Sequence, residues 1–560
     1  MKMEMERRSI ALFSLVGALS ATSLYSDVAF GDYVPLLVGA APKERPWVTD
    51  LAVGDFSGDG VDDIAFCEGK LNEIGLLIGK GDGTFEEFPS IGSIMGPAHI
   101  EVVDFDQDGD GDLLVACMGV VFPNNEKIGS VVILENKGSL QFERHTILEN
   151  TSRVTDVQAG DLDGDGDLDL AVAQFGYIQG KVQWFENRGN WEFRANVLLD
   201  LPGAIHSPIF DADQDGDLDI VSIISQQWEE VHLFRNESGS FKGEVIYGNF
   251  NEDFGSSGIS LADLDQDGDQ DILYTNGDGF DYAIPGSRPW HGVQWLENDG
   301  AGGFKYHRVG DFSGAYSPIA VDVDQDGDLD IVAGSRAERR VLWFENQGKL
   351  KFKEHNILLP DAPESLAITG FNMDYADLNE DGRLDILSTA WPGWLVLLTQ
   401  PEDPSDHWGF SVIGKASPDQ LVSVRFGDID GDADVDIFAG AYSRGARDSD
   451  GPLVSADDPV GRIMWFENPG PSENTNGKNA SEGDWQAHDI ARPKRGMYDK
   501  WLFRDLDQDG DLDVLGTRGN SEPYDGVIWL EQIRSRQPRQ TFIPARIIDS
   551  QQLALPQKDL

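Results

Sequence analysis

The sequence predicts an all-β protein: a β-propeller of four-stranded blades with nine repeat units, closing as eight or nine blades. Three observations lead there. A nine-residue acidic pattern, Asp-x-Asp-x-Asp-Gly-x-x-Asp, begins nine times, at Asp55, Asp104, Asp161, Asp211, Asp263, Asp322, Asp377, Asp428 and Asp505. Short β-rich runs flank each copy, several of them reading Val-x-Trp-Phe-Glu-Asn or a relative. No long stretch has a clear helical period. Self-similarity at about 50 to 60 residues marks stacked supersecondary units, and four antiparallel strands per unit is the propeller pattern.

Each repeat divides into four strand-like segments. In the sixth repeat the first run, 318–321, precedes the acidic loop and the second, 331–334, leaves it. The third carries the aromatic motif, at 182–187, 293–298, 341–346 and 463–468, and the fourth follows a Gly turn and an aromatic residue, as at 352–357. A straight β-helix would need shorter coils and parallel strands, so the ring is preferred. Either 34–39 or 546–548 is placed to complete the last blade. The last interval is lengthened by a polar insertion at 468–484.

With 40% hydrophobic residues the chain has enough apolar material for a packed core. Its net charge of −56 argues against nucleic acid and anionic lipid as partners. Arg7 and Arg8 followed by the apolar run 10–19 read as an export leader, with cleavage near Ala29-Phe30-Gly31 or after Ser23. The expected organisation is a leader over 1–31, the propeller over 32–550 and a tail over 551–560, in a secreted, periplasmic or cell-surface protein. No membrane span beyond the leader is expected. Cys67 and Cys117 occupy corresponding strands of the first two repeats but differ by one residue in offset, which favours two free buried thiols over a bridge.

The acidic loops carry the strongest chemical signal. Positions 1, 3, 5 and 9 are Asp55, Ser57, Asp59 and Asp63 in the first loop, and Asp104, Asp106, Asp108 and Asp112 in the second. The third holds Asp161, Asp163, Asp165 and Asp169; the fourth Asp211, Asp213, Asp215 and Asp219. The fifth holds Asp263, Asp265, Asp267 and Asp271, and the sixth Asp322, Asp324, Asp326 and Asp330. The seventh holds Asp377, Asn379, Asp381 and Asp385, the eighth Asp428, Asp430, Asp432 and Asp436, and the ninth Asp505, Asp507, Asp509 and Asp513. Glycine fills position 6 in every loop except the eighth, where Ala433 stands. Alternate carboxylates on a tight turn converge on one point, and Ca²⁺ takes six to eight oxygens at close range. Position 12 lies inside a strand and is never the Glu an EF-hand requires, while Mg²⁺ prefers fewer carboxylates and more water. Up to nine structural Ca²⁺ ions are therefore expected, the first, seventh and eighth loops departing from the pattern.

These loops and the Trp-Phe-Glu-Asn strands resemble FG-GAP/VCBS-type repeats, related to integrin α-subunit propellers, over nearly all of the chain beyond residue 50. The resemblance implies a propeller with calcium in the loops joining first and second strands. It does not fix a function, because such repeats serve adhesins, lectins and lyases alike.

Opposite the loops, the residues five before each loop form a polar series that includes Asp50, His99, Asp156 and His206. Insertions at 276–292, with Tyr282, Trp290 and His291, and at 441–461, with Tyr442 and Arg444, are expected over the same mouth. These nine residues are the candidate ligand surface. No nucleophile–base–orienter set can be assembled by spacing. His145, His307, His355 and His488 recur at one repeat position, which marks blade packing. The expected role is an exported, non-catalytic binding or adhesion protein recognising a glycan or another surface protein; the alternative is a polysaccharide lyase acting on acidic glycans.

Overall fold

A computed structural model describes residues 27–30, 34–36 and most of 48–535; within that span the longer stretches outside the described residues are 249–257, 277–290, 443–462, 469–484, 492–500 and 519–525. Nine antiparallel sheets follow one another along the chain, each ordered first strand to fourth. Blade 6 is typical: Ala315–Val321, Asp330–Ser335, Arg340–Asn346 and Phe352–Asn356. In blades 4 and 7 the first strand is split, as Ala204–His206 with Ile209–Phe210 and as Ala367–Ile368 with Asp374–Ala376. In blade 4 the break falls at Ser207-Pro208, where proline cannot donate to the ladder.

The Trp-Phe pair of the third strand explains how blades stack. Successive strand residues point to opposite faces, so the two aromatics serve different neighbours. Trp295 of blade 5 packs with Phe312, Ala315 and Ile331 of blade 6, while the next residue, Leu296, packs with Phe210 and Val221 of blade 4. Trp343 likewise meets Ile386 and Trp408 of blade 7, and Phe344 turns back to blade 5. With neighbours on both faces the second strand has no solvent side, and all six residues of Asp330–Ser335 are buried. A fully buried aliphatic or aromatic side chain stabilises by roughly 1.5–3 kcal/mol, so these interfaces hold much of the folding energy.

The ring closes. Leu51, Ile64, Phe66 and Leu77 of blade 1 share a cluster with Leu506, Leu515, Val527 and Trp529 of blade 9. Nine such clusters join nine neighbouring pairs of blades. Blade 9 is completed from the N-terminal side, Val34–Leu36 pairing with Gly526–Leu530, so the first of the two expected closures is the one used. The other, 546–548, lies outside the described residues. Asp27–Phe30, across the expected cleavage region, pairs with Gln532–Ser535. Cys67 and Cys117 lie in one cluster between blades 1 and 2, both buried and not joined by a disulfide; burial pushes the Cys117 thiol up to about 12. Among the described residues no helix is long and apolar enough to cross a membrane.

Candidate metal centres

Every acidic loop joins a first strand to a second strand, so all nine lie on one face of the ring. The loop backbone needs two left-handed residues. Position 6 has φ between +82° and +103° in loops such as Gly216, Gly268, Gly327 and Gly382, which is why glycine recurs there. Position 4 is left-handed as well, and is Gly58, Gly164 or Gly431 in some loops and Gln107, Gln214, Gln266, Gln325 or Gln508 in others.

The ninth-position aspartate is the staple of each loop. Asp271 is fully buried; its Oδ2 accepts the N–H of Leu264 at 2.9 Å and its Oδ1 the N–H of Asn298, at the end of the third strand, at 2.7 Å. The same pair of bonds recurs at Asp112, Asp169, Asp219, Asp330, Asp385, Asp436 and Asp513. Burial raises these carboxyls, Asp271 to about 7, against the opposing pull of the two backbone donors. The third-strand asparagine extends the staple between blades. Asn298 Nδ2 donates to the carbonyl of Ala212 in blade 4 at 2.7 Å, and Asn136, Asn236 and Asn468 repeat that bond to their preceding blades. The Asn of Trp-Phe-Glu-Asn is thus an inter-blade tie, a role its sequence position alone did not disclose.

Positions 1 and 5 of the fifth loop each commit an oxygen atom to the turn. Asp263 Oδ2 accepts the N–H of Gly268 at 3.1 Å, and Asp267 Oδ1 accepts that of Asp269 at 3.2 Å. The carboxylates also converge: single ligand atoms of Asp263, Asp265 and Asp267 lie within 4.8 Å of one another, as do those of Asp104, Asp106 and Asp108, of Asp161, Asp163 and Asp169, and of Asp211, Asp213 and Asp219. Buried oxygens of Asp211, Asp213, Asp263, Asp265, Asp269, Asp328 and Asp505 have no hydrogen-bond donor among the described residues. An orphaned buried acceptor costs about 1–3 kcal/mol, and more when charged. Burial and the neighbouring carboxylates raise Asp265, and raise Asp269 to about 6. This donor set, all hard oxygens with several unsatisfied, fits a divalent cation of the calcium type. Position 7 is aspartate in seven loops and adds Asp269 and Asp328 to the acidic set. Asp432 lies outside the described residues.

Loops are also tied to one another. Gln107 Nε2 donates to the carbonyl of Gly166 at 2.6 Å, Gln214 to Gly268 at 3.0 Å, Gln266 to Gly327 at 2.7 Å and Gln325 to Gly382 at 2.6 Å. The fourth, fifth, sixth and seventh loops therefore form one continuous chain. Recurrence of Gln at position 4 was the signal available for it in the sequence.

The opposite face differs from its expected form. Its polar series is drawn together in pairs: Asp50 Oδ2 lies 2.7 Å from His99 Nδ1, and Asp156 Oδ2 lies 3.8 Å from His206 Nδ1. The acids of both pairs also accept a backbone N–H of the next blade, from Ile100 at 3.2 Å and Ser207 at 2.9 Å, so they buckle first strand to first strand. The Asp50 and Glu101 carboxylates raise His99 to about 9. His291 is not at a channel mouth. It is buried at the seam of blades 5 and 6, where its carbonyl accepts the N–H of Phe312 at 3.2 Å and Arg308 Nη2 at 2.9 Å. Tyr282, Trp290 and Arg444 lie outside the described residues, and Tyr442 is described only as the last residue of the strand Asp436–Tyr442. The recurrent histidines do pack: His307, His355 and His488 stack on Trp295, Trp343 and Trp465 at 4.2–4.5 Å, and each bonds the Glu of its blade's aromatic motif. A cleft of about 530 Å³ opens on this face between blades 2 and 3, lined by Lys127, Thr151, Gln179 and Lys181 over the buried amides Gln174 and Gln183.

The FG-GAP-like repeat model matches residues 55–115, 120–172, 211–274 and 322–388. No curated protein matches the chain. Among solved structures, an Agrocybe aegerita lectin recognising non-reducing terminal N-acetylglucosamine is 19% identical, covering 59% of this chain and 90% of its own, with a TM-score of 0.34. A rhamnogalacturonan lyase of Bacillus licheniformis is 14% identical over 74% of each chain, with a TM-score of 0.43. Saccharomyces cerevisiae Sqt1 is 11% identical, covering 74% of this chain and 96% of its own, with a TM-score of 0.41. The chain folds as a nine-bladed β-propeller, four stretches of which match the FG-GAP-like repeat.

Proposed function

We propose that this chain is an exported, non-catalytic binding protein whose propeller is braced by structural calcium and whose opposite face meets its ligand. Two observations carry the calcium reading: ligand atoms of Asp263, Asp265 and Asp267 converge in the fifth loop, and buried oxygens of Asp263, Asp265 and Asp269 there have no hydrogen-bond donor among the described residues. The ion would be held by the side chains at positions 1, 3 and 5, with position 7 beside them, and would supply charge neutralisation and rigidity.

The binding reading is supported by how the titratable groups are used. The recurrent histidines His307, His355 and His488 serve packing, and Asp50 and Asp156 serve the seams between blades. The cleft between blades 2 and 3 offers hydrogen-bonding side chains suited to a polar ligand such as a glycan, among them Lys127, Thr151, Gln179 and Lys181 above the bonded amides Gln174 and Gln183. Export is supported by Arg7, Arg8 and the apolar run 10–19.

A glycan array probed with the calcium-loaded protein, followed by product analysis on the bound glycans, tests this function. Binding without cleavage agrees with it. Unsaturated products from an acidic glycan would replace it with the lyase alternative.

A further inference from the structure

The seventh loop breaks the pattern in a way that counting positions 1, 3, 5 and 9 does not reveal. Where seven other loops have aspartate at position 7, this one has Arg383, and position 3 is Asn379. Arg383 folds back into its own loop. Its Nη2 donates to Asp381 Oδ2, the position-5 carboxylate, and its Nε donates to the carbonyl of Gln400 at 3.2 Å. The pair is partly buried, with the Arg383 and Asp381 side chains 27% and 22% exposed. The other Asp381 oxygen accepts the backbone N–H of Arg383 at 3.0 Å. That second bond recurs at Asp267 in the fifth loop, so the guanidinium on Asp381 Oδ2 is what sets the seventh loop apart.

The contrast with the fifth loop is one of charge as well as geometry. Positions 1, 3, 5, 7 and 9 hold five carboxylates there, and three carboxylates with one guanidinium in the seventh. The rest of the seventh loop keeps the common build. Asp377 Oδ2 accepts the N–H of Gly382 at 2.7 Å, and Asp385 accepts those of Leu378 and Gln400 at 3.3 and 3.1 Å. The turn is the same and the cation is different.

We infer that Arg383 is the resident cation of the seventh loop, closing it without a metal ion while the other acidic loops close on calcium. The arginine spans the loop and the end of the third strand, tying position 5 to Gln400. Because Gln325 of the sixth loop donates to the carbonyl of Gly382, the chain of linked loops ends on an anchor that chelation does not dissolve.

This inference rests on the calcium reading of the other loops, and its test separates the two. Calcium per folded chain is measured by elemental analysis after calcium loading and dialysis, for the wild type, Asp165→Asn, Asp381→Asn and the double variant Asn379→Asp/Arg383→Asp. The expected results are loss of one ion in Asp165→Asn, no change in Asp381→Asn and gain of one ion in the double variant. Loss of one ion in Asp381→Asn overturns the inference and leaves the calcium reading standing. A folded double variant that gains nothing also overturns it, since the arginine would not then be what excludes the ion. If the wild type retains no calcium and Asp165→Asn changes nothing, the calcium reading itself fails. Should Asp381→Asn not fold, hydrogen exchange on the wild type decides: protection at Gly382 and Arg383 that survives chelator supports the inference, and its loss to the same degree as at Gly268 and Asp269 overturns it.

Discussion

The fifth and seventh loops share a buried aspartate base and differ in the side chains set above it. Asp271 and Asp385 are both fully buried and both staple their loop to the end of a third strand through two backbone N–H groups. Above that common base, the fifth loop turns unpartnered oxygens of Asp263, Asp265 and Asp269 inward, whereas the seventh engages Asp381 with Arg383. The comparison separates two jobs that the repeated motif merges. Position 9 and the third-strand asparagine build the blade, and positions 1, 3, 5 and 7 set the charge that must be balanced.

Removing the common base should do the most damage. Asp271→Ala leaves the N–H groups of Leu264 and Asn298 buried without an acceptor, a loss of about 3 kcal/mol or more in unfolding free energy. Asp385→Ala should cost a similar amount although Arg383 stands in the seventh loop where Asp269 stands in the fifth. Denaturant titration of both checks this, and a large loss in only one would break the equivalence of the two bases. Asn298→Ala removes the tie to Ala212 of blade 4 and a second bond to Gln270, and should cost about 1–3 kcal/mol by the same assay.

Gln266→Gly sharpens the comparison at smaller scale. It cuts the link to Gly327 but keeps a residue suited to the left-handed turn, as Gly58, Gly164 and Gly431 are at that position. The net change in stability should stay within about 1.5 kcal/mol, while calcium titration should show the fifth and sixth loops filling less cooperatively.

The pH effect at His99 lies on the other face. His99 is raised to about 9 in the folded protein by Asp50 and Glu101, against an ordinary value of about 6.5. A raised histidine stabilises fully below the unfolded value and loses that contribution as pH rises through the folded one. The stability difference between wild type and His99→Gln should therefore be greatest below about pH 6.5 and should vanish above about pH 9, as read from melts across that window. A difference constant with pH would deny the paired imidazolium.

Much of this architecture was legible in the sequence because it is periodic. The nine loops and the four strands of each unit follow from a repeat that one blade suffices to define, whereas the choice between the two closures needed the pairing of Val34–Leu36 with the last blade. What repetition hid were the exceptions and the bonds between repeats. Arg383 is visible as a lone departure, yet nothing in the linear order says that its side chain bends back to Asp381. Gln266 reads as a polar turn residue until the next blade places Gly327 beside it. The polar series on the far face was read correctly as neighbouring residues, but Asp50 and Asp156 reach across to the next blade's backbone instead of standing free. His291 follows an insertion in the sequence and sits in a seam in the fold, because its backbone ties to Phe312 and Arg308 outweigh its proximity to a loop.

The most direct test of the account is the thermal midpoint of the whole chain with calcium and with chelator. Each loop that binds only when folded contributes roughly 2.7 kcal/mol at a hundredfold excess of calcium over its dissociation constant. The account predicts a large fall in midpoint on chelation, restored when calcium is returned. An unchanged midpoint would contradict it.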